Sequence, residues 1–231
     1  MQIMMSLRLT ILLVLLLSAG GTTAAAQAFV SSLAPDQIEE FERQPADIRK
    51  LIRTALGLTQ SNLTYLYGSN NPQRGGMDCS GTVQYILQQQ ALGGIPRQAD
   101  QMHEWVRQAG TLTPVSARSL ASEEFDDLRP GDLLFWSGTY AVDRDVTHVM
   151  IYLGTDKTSG KPVMVGASDG RRYNGMKRRG VSVFDFRLPR AGSKARFVGY
   201  ASIPGVGRQA LQADTDTEQS ERETHPPALV F

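Results

Sequence analysis

Cys79, His103, His148 and His225 are the cysteine and histidine side chains that this chain offers for nucleophilic and proton-transfer chemistry. A cysteine attacks as its thiolate, and an imidazole exchanges a proton close to neutral pH. Together they suffice for covalent attack on a carbonyl, provided the fold joins them. Cys79 stands in Asp78-Cys79-Ser80-Gly81, after a stretch containing Gly68, Gly75 and Gly76 and ahead of an amphipathic run. That setting places it at or just before a helix N-terminus, where unpaired amides and the helix dipole favour the thiolate. Asp78 and Ser80 are also the residue types that cap helices. With no second cysteine an internal disulfide is excluded, which leaves a buried small hydrophobe or an intermolecular bridge as the non-catalytic roles of Cys79.

Position separates the histidines. His225 lies beside Pro226 and Pro227 in a polar tail, where nothing fixes its geometry. His103 falls inside a predicted helix next to Glu104. His148 opens an apolar strand, with Met150 and Tyr152 projecting from the same strand face. Cys79 and His148 are therefore the candidate nucleophile and base, the alternative for His148 being a structural role.

The elements that must position them follow from periodicity. Apolar residues at helical spacing (Ile38, Phe41, Ile48, Leu51, Ile52, Leu56) predict two helices over 32–58, broken at Pro45 and Gly57. Further helices are predicted over 80–92 and 99–108. From Pro130 onward the pattern changes to strands at 132–136, 147–153, 163–166, 181–184 and 197–200, with short connections that favour an antiparallel meander. Helices first and strands afterwards define an α+β domain in which N-terminal helices pack on one side of an antiparallel β-sheet. The predicted organisation is a signal peptide over 1–28, one domain over 29–204 and a disordered tail over 205–231.

The leader has Arg8, the apolar run 11–17 and small residues up to Ala26-Gln27-Ala28, the pattern of an export signal. The run is shorter than the roughly 20 residues of a membrane-spanning helix. The expected location is periplasmic or extracellular, with no stable membrane anchor after cleavage. In such an oxidising compartment cysteines are normally paired, so a lone one points to reactivity. A net charge of +1 over 231 residues argues against nucleic acid as a partner.

On these motifs the chain resembles the NlpC-type cell-wall peptidases, small papain-like cysteine enzymes. The resemblance rests on Tyr65-Leu66-Tyr67-Gly68, Gly76-Met77-Asp78-Cys79-Ser80-Gly81, Ile95-Pro96-Arg97, Leu128-Arg129-Pro130-Gly131-Asp132-Leu133 and 147–154, in that order and over residues 50–200. It implies a papain-like core, Cys79 as nucleophile, His148 as base and Tyr65 as a substrate-positioning tyrosine beside the active site. It also implies hydrolysis of amide bonds in peptidoglycan stem peptides, with neither metal nor organic cofactor.

The resemblance fails at one position. The family usually supplies a third polar residue, commonly histidine, on the next strand, and here Gly166 stands in that place. Ser168, on the same strand face, and Asp169, at a turn, are the candidate orienters of His148, with a backbone carbonyl or water as alternatives. The basic segment 171–179 is either a solvated loop or a device that attracts acidic peptides or wall polymers. Residues 137–146, just before His148, are expected to form a lid or pocket wall. An amidase or acyltransferase would use the same two groups, and a catalytically silent wall-binding protein would use neither.

Overall fold

A computed structural model describes residues 29–207. The predicted signal peptide, and the predicted disordered tail apart from residues 205–207, lie outside the described residues.

The N-terminal stretch departs from expectation. Two helices were expected over 32–58, but the first half forms only single 3-10 turns at Pro35–Gln37 and Phe41–Arg43. The apolar spacing there has another cause: this segment lies along a distant strand. Ile38 bridges Asp156, the Glu39 amide donates to the Thr155 carbonyl (2.9 Å), and the Glu40 carboxylate accepts from the Thr155 amide and hydroxyl (both 2.8 Å). Helix α1 (Ala46–Thr59) follows Pro45 and continues through Gly57. A glycine costs only about 1 kcal/mol in a helix, and burial of Leu56, Leu58 and Thr59 offsets it.

Two short parallel strands, β1 (Thr64–Tyr65) and β2 (Gly76–Met77), flank the glycine-containing loop and lead into α2 (Cys79–Gln88). Helix α3 (Ala99–Gln108) and β3 (Leu112–Pro114) follow. The remaining strands are β4 (Leu133–Ser137), β5 (His148–Asp156), β6 (Lys161–Ser168), the small hairpin β7 (Arg172–Tyr173) and β8 (Met176–Lys177), β9 (Gly180–Asp185) and β10 (Arg196–Ala201).

The main sheet has the order β3-β10-β4-β5-β6-β9 and is antiparallel throughout. The meander therefore holds for β4, β5, β6 and β9, but β10 returns to the far side and pairs with β4. The outer edge of β9 is already occupied: the Val183 amide donates to Ser31 and the Val181 amide to Leu63 (2.9 Å each). An unpaired edge must be covered, and the open position lay beside β4.

Strand alternation divides the core in two. Val149, Ile151 and Leu153 of β5 pack with Ile52, Val83, Ile86 and Leu87 of the helices. Met150 and Tyr152 face the other way, into an aromatic cluster with Trp136, Phe125, Phe186 and Phe197. The sheet is thus buried on both faces, by helices on one and on the other by aromatics that its own strands and the adjoining segments supply. The architecture is α+β.

Glu40 fastens the N-terminal stretch to β5 through two bonds to a charged acceptor. Glu40→Ala should lower stability by about 2 kcal/mol, seen as a lower urea midpoint with faster amide exchange confined to residues 29–45. Uniform loss of protection across the sheet would contradict this local role.

Candidate active site

Asp78 organises the start of α2. Its carboxylate caps the helix through the Gly81 amide (2.6 Å), holds the preceding loop through the Gly68 amide (2.8 Å), and receives both terminal nitrogens of Arg97 (3.1 and 2.7 Å). Arg97 also donates to the Ser80 hydroxyl at 3.0 Å. The Asp78 amide in turn donates to the Ser69 carbonyl (3.0 Å), and Asn70 bonds Gln84 on the next turn of α2 (2.9 Å). Loop and helix lie so close that a Cβ on Gly81 would run into the Ser69 carbonyl. Glycine after the Cys-Ser pair is thus a packing requirement.

Arg97 belonged to a sequence motif, but no local rule connects residue 97 to residue 78. The chain brings it back through the Gln84 side chain, which donates to the Ile95 carbonyl at 2.9 Å.

Cys79 is the first residue of α2 and is only 6% exposed. Burial pushes its thiol up to about 11, the Val149 amide opposes this, and the Asp78 charge adds to it. The helix-terminal amides of Cys79 and Ser80 also act downward, but burial outweighs them. The thiolate expected from helix position alone is therefore not the resting form at neutral pH. The helix that Cys79 opens packs through Val83 and Ile86 against Val149 and Ile151 of β5, the strand that His148 begins.

His148 approaches from the other side. It pairs across the sheet with Trp136, its ring meets the indole edge to face at 5.7 Å, and it shares the aromatic face with Met150. Burial first, and then the charge of Arg171, hold its imidazole well below the usual histidine range. Both candidate groups are thus neutral at rest, and no hydrogen bond joins them. His148 Nε2 is buried without a hydrogen-bond partner among the described residues, as is Trp136 Nε1.

Two hollows share a wall of Tyr65, Tyr67 and Tyr140. One is lined by Cys79, Asp78, Arg97, Asp100 and Arg144; the other by His148, Ser168, Asp169 and Arg171. Tyr67 and Tyr140 meet edge to face at 6.3 Å. Residues 137–146 form part of this wall, tied down by Arg144 to Asp100 (3.5 Å) and by the Thr139 amide to Thr147 (3.0 Å). Tyr65 lies at the junction, and its hydroxyl is pushed up by burial and then by Cys79 and Asp78. His103 lies elsewhere, against Phe135 at 5.2 Å on the helix side.

The register of β5 and β6, carried to the strand ends, sets Ser168 across from His148. Ser168 and Asp169 both line the hollow of His148, and neither bonds Nε2. At Gly166 a Cβ would meet Met150 Cγ at 2.9 Å. The methionine thus fills the space beside that glycine. Among the described residues no group of three or more His, Cys, Asp or Glu side chains is placed to hold a metal ion. No described helix is long and apolar enough to cross a membrane.

A cysteine opening a capped helix against an antiparallel sheet that begins its second central strand with histidine is the arrangement to which the family comparison can be set. Residues 62–179 match the NlpC/P60 family, and the chain belongs to it. A curated relative, the gamma-DL-glutamyl hydrolase of Bacillus subtilis (strain 168), is 34% identical over 94 residues, which are 40% of this chain. The chain spans 18% of that relative's length. A crystal structure from Staphylococcus aureus subsp. aureus Mu50, of a protein similar to lipoprotein of the NLP/P60 family, is 20% identical with a TM-score of 0.45. The likeness covers 68% of this chain and 41% of that one.

With the thiol near 11, the thiolate fraction should rise about tenfold per pH unit from neutrality upward. Alkylation of Cys79 by iodoacetamide should therefore be slow at pH 7 and climb steadily to pH 10. A rate plateau reached below pH 7 would show that an ion pair, not the neutral pair, is the resting state.

Proposed function

We propose that this chain is an exported cysteine peptidase of the cell envelope that hydrolyses amide bonds in peptidoglycan stem peptides. Family membership, with a hydrolase among the relatives, supports hydrolase activity. The observation that carries the cysteine mechanism is Cys79 at the first residue of α2, in a hollow that shares its wall of Tyr65, Tyr67 and Tyr140 with the hollow of His148. A relative named a gamma-DL-glutamyl hydrolase supports a glutamyl amide as the bond attacked. The leader at 1–28 supports export to the periplasm or the outside.

In this reading the neutral pair acts in concert. His148 takes the thiol proton as sulfur attacks the carbonyl carbon, so no thiolate has to persist in the buried site. The Cys79 amide stabilises the developing oxyanion at the helix start. His148 then returns the proton to the leaving amine, and water, activated by His148, opens the thioester. Tyr65, between the two hollows, positions the peptide. Ser168 and Asp169, which line the same hollow, steady His148 once substrate is bound.

The unpartnered Nε2 of His148 favours a second reading, a wall-binding protein without catalysis. Peptidoglycan fragments incubated with the protein and with Cys79→Ala and His148→Ala, and followed by mass spectrometry, separate the two. The native chain should release a new peptide, and each variant should lose at least about a hundredfold in turnover. Product formation undiminished in Cys79→Ala would remove the cysteine from the mechanism, and release of no product by the native chain would leave the binding role. A product joined to an added amine would indicate acyl transfer, and one cut at the glycan junction an amidase.

The exchange of side chains at 150 and 166 generates its own test. Gly166→His alone should lower stability and give no gain, because its Cβ meets Met150. The pair Gly166→His with Met150→Gly should restore an orienter for Nε2 and raise turnover several-fold. Equal turnover in the double variant and the native chain would show that position 166 does not reach His148.

A further inference from the structure

Three arginines line the two hollows beside the tyrosine wall, and two of them are neutralised. Arg97 is paired with Asp78 at 2.7 Å, and Arg144 with Asp100 at 3.5 Å. Arg171 differs. It makes no side-chain hydrogen bond or ion pair among the described residues, and its guanidinium lies over the Trp136 ring at 4.2 Å. The indole also packs against His148, so one aromatic platform carries both the cation and the candidate base.

Arg171 is half-buried in the hollow of His148, and burial pulls its guanidinium down to about 10. A desolvated cation without a counter-ion is costly, and the cost is relieved by an anion that enters the same space. Asp169, two residues away and exposed, also lines the hollow but forms no ion pair with Arg171. The planar guanidinium, held over the indole, offers its N–H groups to a carboxylate.

We infer that Arg171 is a substrate-binding residue that receives a free carboxylate of the peptide, on the His148 side of the cleft. None of the other cations of segment 171–179, Arg172, Lys177, Arg178 and Arg179, lines the hollow of His148. Arg172 is spent on the Gly175 carbonyl across the hairpin turn, and Lys177 is fully at the surface. Long-range attraction by a basic loop would be shared among them, whereas a carboxylate seat belongs to Arg171 alone. Identification of the ligand as a peptide rests on the proposed function, but binding does not require the chemical step.

The test is a calorimetric titration of the full chain carrying Cys79→Ala. The probes are two N-acetylated γ-D-glutamyl dipeptides that differ only in whether the glutamyl α-carboxylate is free or amidated. The free acid should bind about tenfold more tightly, the scale of one charge-assisted contact. Adding Arg171→Gln should abolish the difference, Arg171→Lys should keep part of it, and Arg172→Gln, with the same loss of charge, should keep all of it. Equal affinities in the parent, binding of neither probe, or an undiminished difference in Arg171→Gln would overturn the assignment. An equal loss in Arg172→Gln would do the same. If the native chain cleaves no peptide while the difference persists and depends on Arg171, the peptidase reading fails and the carboxylate seat stands.

Discussion

The Asp78 carboxylate is the constraint on which the site depends. It is buried, it is the acceptor for two backbone amides from different segments, and Arg97 supplies its counter-charge from 19 positions along the chain. Remove the cation and a buried carboxylate is left uncompensated, a situation that costs more than the pair contributes in isolation. Remove the carboxylate and the helix loses its cap while the preceding loop loses its tether. Cys79 is the next residue, so the position of the sulfur is set by this network rather than by contacts of its own.

Burial then determines the character of the chemistry. A helix N-terminus and three backbone amides favour the thiolate, yet desolvation and the neighbouring aspartate win. The same exclusion of water depresses His148, aided by Arg171. The two shifts act together: each makes its group reluctant to carry charge, and in the proposed mechanism the proton moves from sulfur to imidazole only as new bonds form. Burial limits both access to the Cys79 thiol and its thiolate character, the two factors that control disulfide exchange. Protection and reactivity are in tension, and here the resting protein favours protection.

Much of this was legible in the sequence where the signal is local. The start of α2 at Cys79 follows from the cap, and β4, β5, β6 and β9 follow from short apolar runs. What escaped depends on remote partners. Ile38 and Phe41 have helical spacing with Ile48, but the backbone between them bonds to Thr155, more than a hundred residues later. The return of β10 to β4 depends on which sheet edge was still open. The link between Asp78 and Arg97 has no periodicity to betray it, and the burial of Cys79 follows from the tyrosines and strands that surround it. The alternation with Met150 and Tyr152 gave the strand face of His148, but its partner across the sheet, Trp136, depends on the pairing of β4 with β5.

The contact between Gly166 and Met150 bears on how such a site can change over generations. A side chain at 166 needs room that Met150 occupies, and a smaller residue at 150 leaves a void while glycine remains opposite. Each single exchange is therefore worse than either matched pair, so the two positions are epistatic. A chain holding glycine and methionine gains an imidazole at 166 only through a step that crowds Met150.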